Sequence, residues 1–326
     1  MESQEYFEDR IGLKLLQEKV TAIKLEMAKV VVGQEKMIEL LVVAMLADGH
    51  VLLEGVPGIA KTLSAKMLSK LIATQFSRLQ FTPDLMPSDV TGTTIFNAGS
   101  SKFEFNAGPI FSNIVLIDEI NRAPAKTQSA LFEVMEEKQV SVDGNTYSMA
   151  APFLVFATQN PLEHEGTYRL PEAQLDRFLF KIVVDYPTLS EEFLILKNAH
   201  LRKGEKEMLG VTAVMTAEQL VEFQKVIQQV HVEDHLLQYI AEVVNKTRNH
   251  PSLYLGASPR ASINILKASK AFAAVQGRDF VIPEDIKAVM VPVFIHRIYL
   301  TPEKEMDGTT ETQIISDIIN SVPIPR

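Results

Sequence analysis

The fold is decided by the stretch Val51-Leu52-Leu53-Glu54-Gly55-Val56-Pro57-Gly58-Ile59-Ala60-Lys61-Thr62. Its first three residues are apolar and predict a buried parallel strand, and a loop rich in Gly and Pro follows. Residues 63–71 then carry apolar side chains at helical spacing, at positions 63, 67, 68 and 71. A strand, a glycine-rich loop, a Lys-Thr pair and a helix form the arrangement of a phosphate-binding P-loop.

The residue types of this loop suit a nucleoside triphosphate. Glycines allow backbone N–H groups to turn toward phosphate oxygens, and the positive end of the following helix points at the same anion. Lys61 would neutralise the β- and γ-phosphates, and the Thr62 hydroxyl would bind Mg²⁺. Ala60 stands where the strict pattern has glycine, and we expect it to have a negative φ because a Cβ disfavours the left-handed region. The alternative is an ordinary strand–turn–helix with a chance Lys-Thr pair.

The composition is that of a globular protein of about two domains. The chain has 326 residues, of which 46% are hydrophobic and 22% charged, and it contains no cysteine, which excludes disulfides and thiolate zinc sites. The acidic N-terminus predicts neither a secretory signal nor a transit peptide, and the longest apolar run, residues 40–47, is too short to span a bilayer. A cytoplasmic location is therefore expected. The net charge of −9 counts mildly against a nucleic-acid motor.

Two carboxylates end a second predicted buried strand. Residues 114–117 are Ile, Val, Leu and Ile, and Asp118 and Glu119 follow directly. In open α/β sheets, ligands bind at the carboxyl ends of the strands. Asp118 would hold Mg²⁺, directly or through water, and Glu119 would orient and deprotonate an attacking water. The alternative, a strand ending in solvated acids, is weakened by the P-loop upstream.

Two further polar side chains are candidates for the same site. Asn160 follows the predicted strand 153–158 and would position the attacking water, although an Asn before Pro161 is also a common turn residue. Arg177 ends a predicted short helix in residues 170–178, and its alternative is a surface arginine paired with Asp176 or Glu172.

The remaining pattern predicts two domains. Short strands are expected at 78–81 and 182–184, and hairpins within the segment 82–112 and at 139–149, the latter turning at an Asp-Gly pair. Helices are expected at 11–30, 34–48 and 126–137 in the first domain. After a boundary at Pro187, helices are expected at 189–201, 216–230, 233–248, 259–275, 283–299 and 314–322, with a loop at 303–312 and no strong strand signal. His231 and His235 are interpreted as ordinary helix residues, since they lack the spacing of a metal site.

Taken together, the motifs resemble those of the AAA+ ATPases and, more narrowly, of the MoxR family. Residues 55–62 resemble the MoxR Walker A, which accepts alanine before the lysine, and residues 117–124 resemble its Walker B. Residues 157–161 resemble sensor 1, carried by Asn160, and residues 170–178 resemble the stretch that supplies an arginine finger, with Arg177 as the candidate. Residues 256–261 resemble sensor 2, carried by Arg260, and residues 31–34 resemble the segment that packs against adenine.

The resemblance implies a three-layer αβα P-loop core with a parallel sheet in residues 1–187 and a small all-α lid domain in residues 188–326. It implies ATP and Mg²⁺ as cofactors, and a catalytic set of Lys61, Glu119, Asn160, Arg177 and Arg260. The metal ligands that it implies are Thr62 and Asp118. The nucleotide-binding residues that it implies are Val31, Val32, Gly33, Gly55, Val56, Pro57, Gly58, Ile59, Ala60, Lys61, Thr62, Leu63, Asp118 and Arg260.

The same resemblance implies a homo-oligomer, usually a hexameric ring, that remodels or matures a protein client, often with a partner carrying a von Willebrand factor A domain. The main alternative is a nucleic-acid-directed motor or loader, which would need a basic, aromatic-bearing loop. Residues 94–106 contain only Lys102 as a basic residue, and residues 139–149 contain none. A GTP-dependent switch is disfavoured because residues 245–248 lack the aspartate of a guanine-reading motif, and a scaffold without turnover is disfavoured by Glu119.

Overall fold

A computed structural model describes residues 2–161, 167–202, 208 and 210–324. The strands are β1 Val51–Glu54, β2 Phe76–Gln80, β3 Gly92–Asn97, β4 Lys102–Ala107, β5 Ile114–Asp118, β6 Gln139–Val142, β7 Asn145–Ser148, β8 Leu154–Gln159, β9 Phe180–Val183, β10 Leu253–Leu255 and β11 Tyr299–Leu300. The helices are α1 Glu2–Ala28, α2 Glu35–Leu46, α3 Lys61–Leu71, α4 Pro87–Thr91, α5 Ala125–Glu137, α6 Glu172–Leu175, α7 Leu189–Arg202, α8 Ala217–Gln228, α9 Asp234–Arg248, α10 Pro259–Val275, α11 Pro283–Phe294, α12 Pro302–Met306 and α13 Glu311–Ser321, with a 3₁₀ turn at Ile120–Arg122.

The centre of the molecule is a five-stranded parallel sheet in the order β2-β5-β8-β1-β9. Alternate side chains of one strand enter different cores: Val51 and Leu53 belong to one apolar cluster, whereas Leu52 belongs to the other. Both faces of the sheet are therefore covered by helices, as the continuous apolar runs of its inner strands require. The predicted αβα core with a parallel sheet is confirmed.

The larger core is continuous from the sheet into the C-terminal helices. It joins apolar residues of α1, α2 and α3 with those of α8 to α11 and α13. α7 begins two residues after Pro187, the position at which we predicted a domain boundary. The C-terminal part is helical apart from the short antiparallel pair β10–β11, in agreement with a helical lid.

Both predicted hairpins are present. β3 pairs with β4, and β6 pairs with β7 across Asp143 and Gly144, whose φ angles of 50° and 79° are typical of the tight turn that an Asp-Gly pair favours. In the described residues, no helix is both long enough and apolar enough to cross a membrane.

Three predictions for the C-terminal part were wrong. The helix expected at 283–299 ends at Phe294, because residues 299–300 instead form β11, which pairs with β10. The loop expected at 303–312 contains α12, which Pro302 starts at its first position. His231 lies in no helix but forms an isolated bridge with Phe280, whereas His235 lies in α9 as expected.

Candidate active site

A cleft of about 500 Å³ opens at the carboxyl ends of β1, β5 and β8. Such a position is usual for ligand sites in open parallel sheets. The residues that line the cleft come from six parts of the chain that the fold brings together. They are Val30, Val32, Gln34, Pro57, Gly58, Ile59, Ala60, Lys61, Thr62, Leu63, Arg78, Gln80, Asp118, Glu119, Thr158, Asn160, Pro187, Ile195 and Asn198.

The P-loop forms one wall of this cleft. Gly58 has a φ of 86°, a conformation that glycine adopts without strain, and Lys61 begins α3. The ammonium group of Lys61 donates to the carbonyl of Gly55 and so lies across the loop. Gly55 and Val56, at the start of the loop, are not among the lining residues, and their contact with nucleotide stays a prediction.

Ala60 corrects our expectation of a negative φ. Its φ is 63° and its ψ is 15°, in the left-handed region, at the position immediately before α3. Alternating right- and left-handed residues turn successive N–H groups to one side, which makes a concave anion site. The methyl group of Ala60 packs against the larger core, and this contact offsets part of the strain.

Thr62 and Asp118 bring two hard oxygen atoms together at the base of the cleft. The Thr62 Oγ1 atom lies 3.5 Å from Oδ1 of Asp118, and the Thr158 hydroxyl donates to the same Oδ1 at 3.1 Å. Nε of Arg78 donates to Oδ2 of Asp118 at 2.6 Å, so this buried carboxylate is held on both oxygens. Mg²⁺ is commonly bound through one or two protein oxygens together with substrate phosphates, and this donor set fits it.

Glu119 is fixed by strand geometry and by two donors. Its φ of 55° places it in the left-handed region, and its N–H donates to Oγ1 of Thr158 at 3.1 Å. Nε2 of Gln80 and Nε of Arg122 both reach Oε2 of Glu119, at 2.7 and 3.0 Å. The parallel register pairs Gln80 with Asp118, which places its side chain at the same edge of the sheet. A non-glycine residue held left-handed at the mouth of a cleft indicates a functional constraint.

The segment predicted to contact adenine is only partly in the cleft. Val32 lines it, together with its neighbours Val30 and Gln34, whereas Val31 is buried in the larger core. Gly33 does not line the cleft but shapes it: its φ is 74°, and a Cβ there would lie 2.5 Å from the carboxyl carbon of Glu191 in α7. A residue with a Cβ would therefore be strained at this φ, and the Glu191 side chain would have to move.

Arg177 and Arg260 do not line the cleft, and both pair instead with one carboxylate, that of Glu136. Nε of Arg177 lies 3.0 Å from Oε2 of Glu136, and an Nη atom of Arg260 lies 2.7 Å from Oε1 of the same carboxylate. Glu136 is near the end of α5, and the first turn of α5 follows Glu119. With a rise of about 1.5 Å per residue, this places Glu136 about 16 Å along the helix from its start. The alternative considered for Arg177, a surface arginine paired with Asp176 or Glu172, differs from this arrangement, in which its ion pair is with Glu136.

Some cleft residues could have been found from the sequence and others could not. Arg78 and Gln80 alternate along β2, so they share one face of a strand that pairs with the strand of Asp118, and this period-two pattern was a readable signal. The contributions of Ile195 and Asn198 depend on how α7 lies over the cleft. Glu136 carries no local signal, since its two partners are 41 and 124 positions away.

A parallel sheet, a phosphate loop and a strand-end Asp-Glu pair in one cleft define a P-loop nucleoside triphosphatase. Residues 50–180 match the family described as ATPase family associated with various cellular activities (AAA), and residues 245–318 match the AAA lid domain. This chain belongs to the MoxR family of AAA+ ATPases.

Three relatives show the extent of the similarity. The protein named YeaC from Bacillus subtilis, itself uncharacterised, is 48% identical over 91% of this chain and 92% of its own length. The chaperone MoxR1 of Mycobacterium tuberculosis is 43% identical over 92% of this chain and 81% of its own length. A crystal structure of a proposed ATPase from Cytophaga hutchinsonii is 42% identical and superimposes with a TM-score of 0.91 over the whole of both chains.

Proposed function

We propose that this protein is a Mg²⁺-dependent ATPase that drives the chaperone-like remodelling or maturation of a protein client or complex, and that it works as a ring, a hexamer by analogy with its family. The observation that carries the ATPase chemistry is the meeting of Lys61, Thr62, Asp118 and Glu119 in one cleft at the carboxyl ends of three strands. ATP hydrolysis itself is established by the family to which the chain belongs.

The phosphate loop and α3 are proposed to bind the triphosphate. The Gly58–Ala60 backbone and the start of α3 would direct N–H groups to the phosphates, and Lys61 would exchange its contact with the Gly55 carbonyl for phosphate oxygens. Mg²⁺, when bound by Thr62 and Asp118, would offset charge on the phosphates. Val30 and Val32 supply an apolar surface for the base.

Glu119 is the proposed base for the attacking water. Gln80 and Arg122 hold its Oε2 atom, which fixes the direction of the carboxylate before the reaction begins. Asn160, at the end of β8 and on the same cleft, is proposed to orient the same water. A water that is already held in position loses less entropy in the reaction step than a free water would.

Arg177 is proposed to serve the ATP of a neighbouring subunit, whereas Arg260 is proposed to act on the nucleotide of its own subunit once the helical domain folds over it. Both lie at Glu136, away from the cleft of their own chain, and each remains partly exposed, with 28% and 41% of the side chain accessible. Arg260 would have to leave Glu136 to reach that nucleotide. A guanidinium that arrives from a neighbour would stabilise charge as it develops on the transferred phosphoryl group.

The chaperone-like role is supported by a relative, MoxR1 of Mycobacterium tuberculosis, that is named a chaperone. A von Willebrand factor A-domain partner and a cytoplasmic location belong to this proposal as expectations. A nucleic-acid substrate is disfavoured because the two hairpins together carry few basic side chains, and a gel shift at low salt would detect such binding.

The proposal is tested by Glu119→Gln, which keeps the size of the side chain and removes the base. We expect binding of ATP with Mg²⁺ to be unchanged and turnover to fall by about 10²-fold or more, since a positioned base contributes about 10²–10⁴-fold. The matched control is Glu133→Gln, at an exposed position of α5, which should hydrolyse ATP normally. Turnover by Glu119→Gln near that of the control would contradict the role of Glu119.

The same variant, Glu119→Gln, tests whether the client is a protein. A subunit that holds ATP without hydrolysing it should retain proteins that the wild-type protein releases, so affinity purification with each of the two chains is compared in the presence of ATP. Enrichment of nucleic acid instead of a defined protein would favour the motor alternative.

A further inference from the structure

Arg297 is a buried guanidinium that lies outside the cleft. It follows α11 by three residues, its side chain is 2% exposed, and it pairs with Asp176 through Nε and Oδ1 at 2.6 Å. Burying a charged guanidinium carries a large desolvation cost, which is tolerated when the group is paired and every donor is used. That burial lowers the pKa of Arg297 to about 10, and the nearby Asp176 carboxylate opposes the shift.

The hydrogen bonds of Arg297 converge on one short segment. A guanidinium has five N–H donors, and four bonds go to residues 176–179: to the Asp176 carboxylate and to the carbonyls of Asp176, Phe178 and Leu179. The fifth goes to the carbonyl of Val293 in α11. We call residues 176–179 the finger segment, since they contain Arg177.

Two neighbours of Arg297 bind the same segment. Nε2 of the buried His296 lies 3.1 Å from the Phe178 carbonyl, and since a carbonyl only accepts, Nε2 carries the proton. The hydroxyl of Ser258, which precedes α10 and lies two residues before Arg260, donates to Oδ2 of Asp176 at 3.0 Å. The C-terminal helices therefore hold the backbone on both sides of Arg177.

We propose that Arg297 is a positioning residue for Arg177: it fixes the backbone of the finger segment to the C-terminal helices, so that Arg177 is presented to a neighbour's ATP in one orientation. This inference rests on the finger role of Arg177 given under the proposed function. Arg297 touches no nucleotide itself and acts only through the segment that it binds.

A lysine cannot replace Arg297 in this role. Its ammonium group has three donors at a single point, whereas the bonds of Arg297 spread over a planar fork that reaches four acceptors in residues 176–179. Arg297→Lys therefore keeps the positive charge beside Asp176 but frees most of the segment's carbonyls. A displacement of about 1 Å at a reacting group can lower a rate by about 10²-fold.

The test is a double-mutant cycle with Arg177→Ala, measured on the full chain at ring-forming concentration. We expect Arg297→Lys to lower kcat for ATP by about 10- to 100-fold while KM and the affinity for ATP stay within about twofold of wild type. In the Arg177→Ala background, the same substitution should have no further effect on kcat, because the residue through which it acts is already missing.

Arg278→Lys is the matched control. Arg278 also makes a two-bond pair with a buried carboxylate of the C-terminal part, Asp285, but within the described part of the chain its hydrogen bonds do not reach the finger segment. It should lower the melting temperature by an amount similar to Arg297→Lys and leave kcat near wild type. If Arg297→Lys does not fold, Asp176→Asn breaks the same pair from the other side and enters the same cycle with the same expected result.

The outcomes separate the two proposals. Wild-type kcat in Arg297→Lys, or an equal loss with and without Arg177, would overturn the positioning role and leave the finger role intact. Nearly full activity of Arg177→Ala alone would overturn the finger role, and the positioning role with it.

Discussion

Ala60 combines a left-handed backbone with a side chain that disfavours it. The left-handed conformation costs about 1–2 kcal/mol for a residue with a Cβ, whereas Ala→Gly costs about 0.4–1 kcal/mol through the entropy of the unfolded chain. We therefore expect Ala60→Gly to raise the free energy of unfolding by about 0.5 kcal/mol, as measured by urea denaturation. Ala65→Gly, inside α3 and buried, should lower it by about 1 kcal/mol instead. The same sign for both substitutions would contradict the strain at Ala60.

Lys61 is the only lysine among the residues that line the cleft, as far as the described residues show. Lys61→Ala removes the charge that would offset the triphosphate in a partly desolvated site, and charge-assisted hydrogen bonds are about twice as strong as neutral ones. We expect the variant to lose ATP binding in a titration with a fluorescent analogue. Lys66→Ala, on the exposed side of the same helix, should bind normally, and normal binding by Lys61→Ala would exclude the P-loop assignment.

Single residues could be predicted where a strand end fixes them. Asp118, Glu119 and Asn160 line the cleft because each follows a buried apolar strand, and parallel strands end at one edge. The φ of Ala60 could not be predicted, since residue preference is only a weak guide where surrounding structure determines the backbone. The partner of Arg177 is Glu136 in α5 rather than a neighbour in sequence, and no local pattern reports it.

At the scale of elements, His50 joins three parts of the core. His50 immediately precedes β1. Its Nε2 donates to the Met135 carbonyl of α5, and its Nδ1 accepts from the Val155 N–H of β8. Burial lowers the pKa of His50 to about 4 from an ordinary value of 6.5, so the folded protein keeps this imidazole neutral. Protonation of Nδ1 would break the bond to Val155.

The pH dependence of stability follows from this pKa. Between pH 6.5 and 4 the unfolded chain binds a proton at His50 and the folded chain does not, so the free energy of unfolding falls as the pH falls through that window. At about 1.4 kcal/mol per pH unit, the loss from His50 is about 3 kcal/mol. His296, also buried with a lowered pKa, adds to the slope.

Urea denaturation at pH 7, 6 and 5 would measure this slope. His50→Phe should lower stability at pH 7, because two backbone groups lose their partner, but it should flatten the dependence on pH. His235→Gln, at an exposed position of α9, should leave the slope unchanged. A wild-type slope in His50→Phe would contradict the assignment of the neutral imidazole.

Elements with strong periodicity could be predicted, and those that depend on single residues at their ends could not. The five strands of the sheet and the two hairpins have clear apolar runs or turn residues. α11 is shorter than its apolar pattern because residues 299–300 pair with β10, and the pair β10–β11 is too short to show alternation.

At the scale of the whole molecule, Arg177 is held at Glu136, outside the lining of its own subunit's cleft. If a ring brings Arg177 of one subunit to the ATP of the next, two inactive variants should complement each other. Glu119→Gln has a finger but no base, and Arg177→Ala has a base but no finger. Mixing them at ring-forming concentration should restore measurable ATPase activity.

The control for this mixture is the double variant Glu119→Gln/Arg177→Ala, which has neither group and should restore nothing when mixed with Arg177→Ala. Mixed rings that remain inactive at every ratio would mean that Arg177 acts within its own subunit or has a purely structural role. Arg122, paired with Glu119, and Arg169, beside Glu172, would then be the next candidates.

The long-range contacts of the molecule could not be predicted from one sequence. Arg297 reaches Asp176 across 121 positions, and Arg260 reaches Glu136 across 124. Such pairs depend on how the C-terminal helices pack against the sheet, and neither partner has a sequence neighbour that signals it. The motifs therefore predicted the cleft more completely than the surroundings of the two arginines.

The order of the strands also provides a short mechanical connection between Arg177 and the phosphate loop of the same subunit. β9 begins three residues after Arg177 and lies directly beside β1. The N–H of Leu179 donates to the carbonyl of His50, and Lys181 of β9 pairs with Glu54 at the end of β1, where the phosphate loop starts. A force on Arg177 from the adjacent subunit's phosphates would thus reach the phosphate loop of its own subunit through one pair of strands. In a closed ring, we therefore expect hydrolysis in one subunit to affect the phosphate loop of the neighbour that supplies Arg177, and this influence to pass around the ring in one direction only.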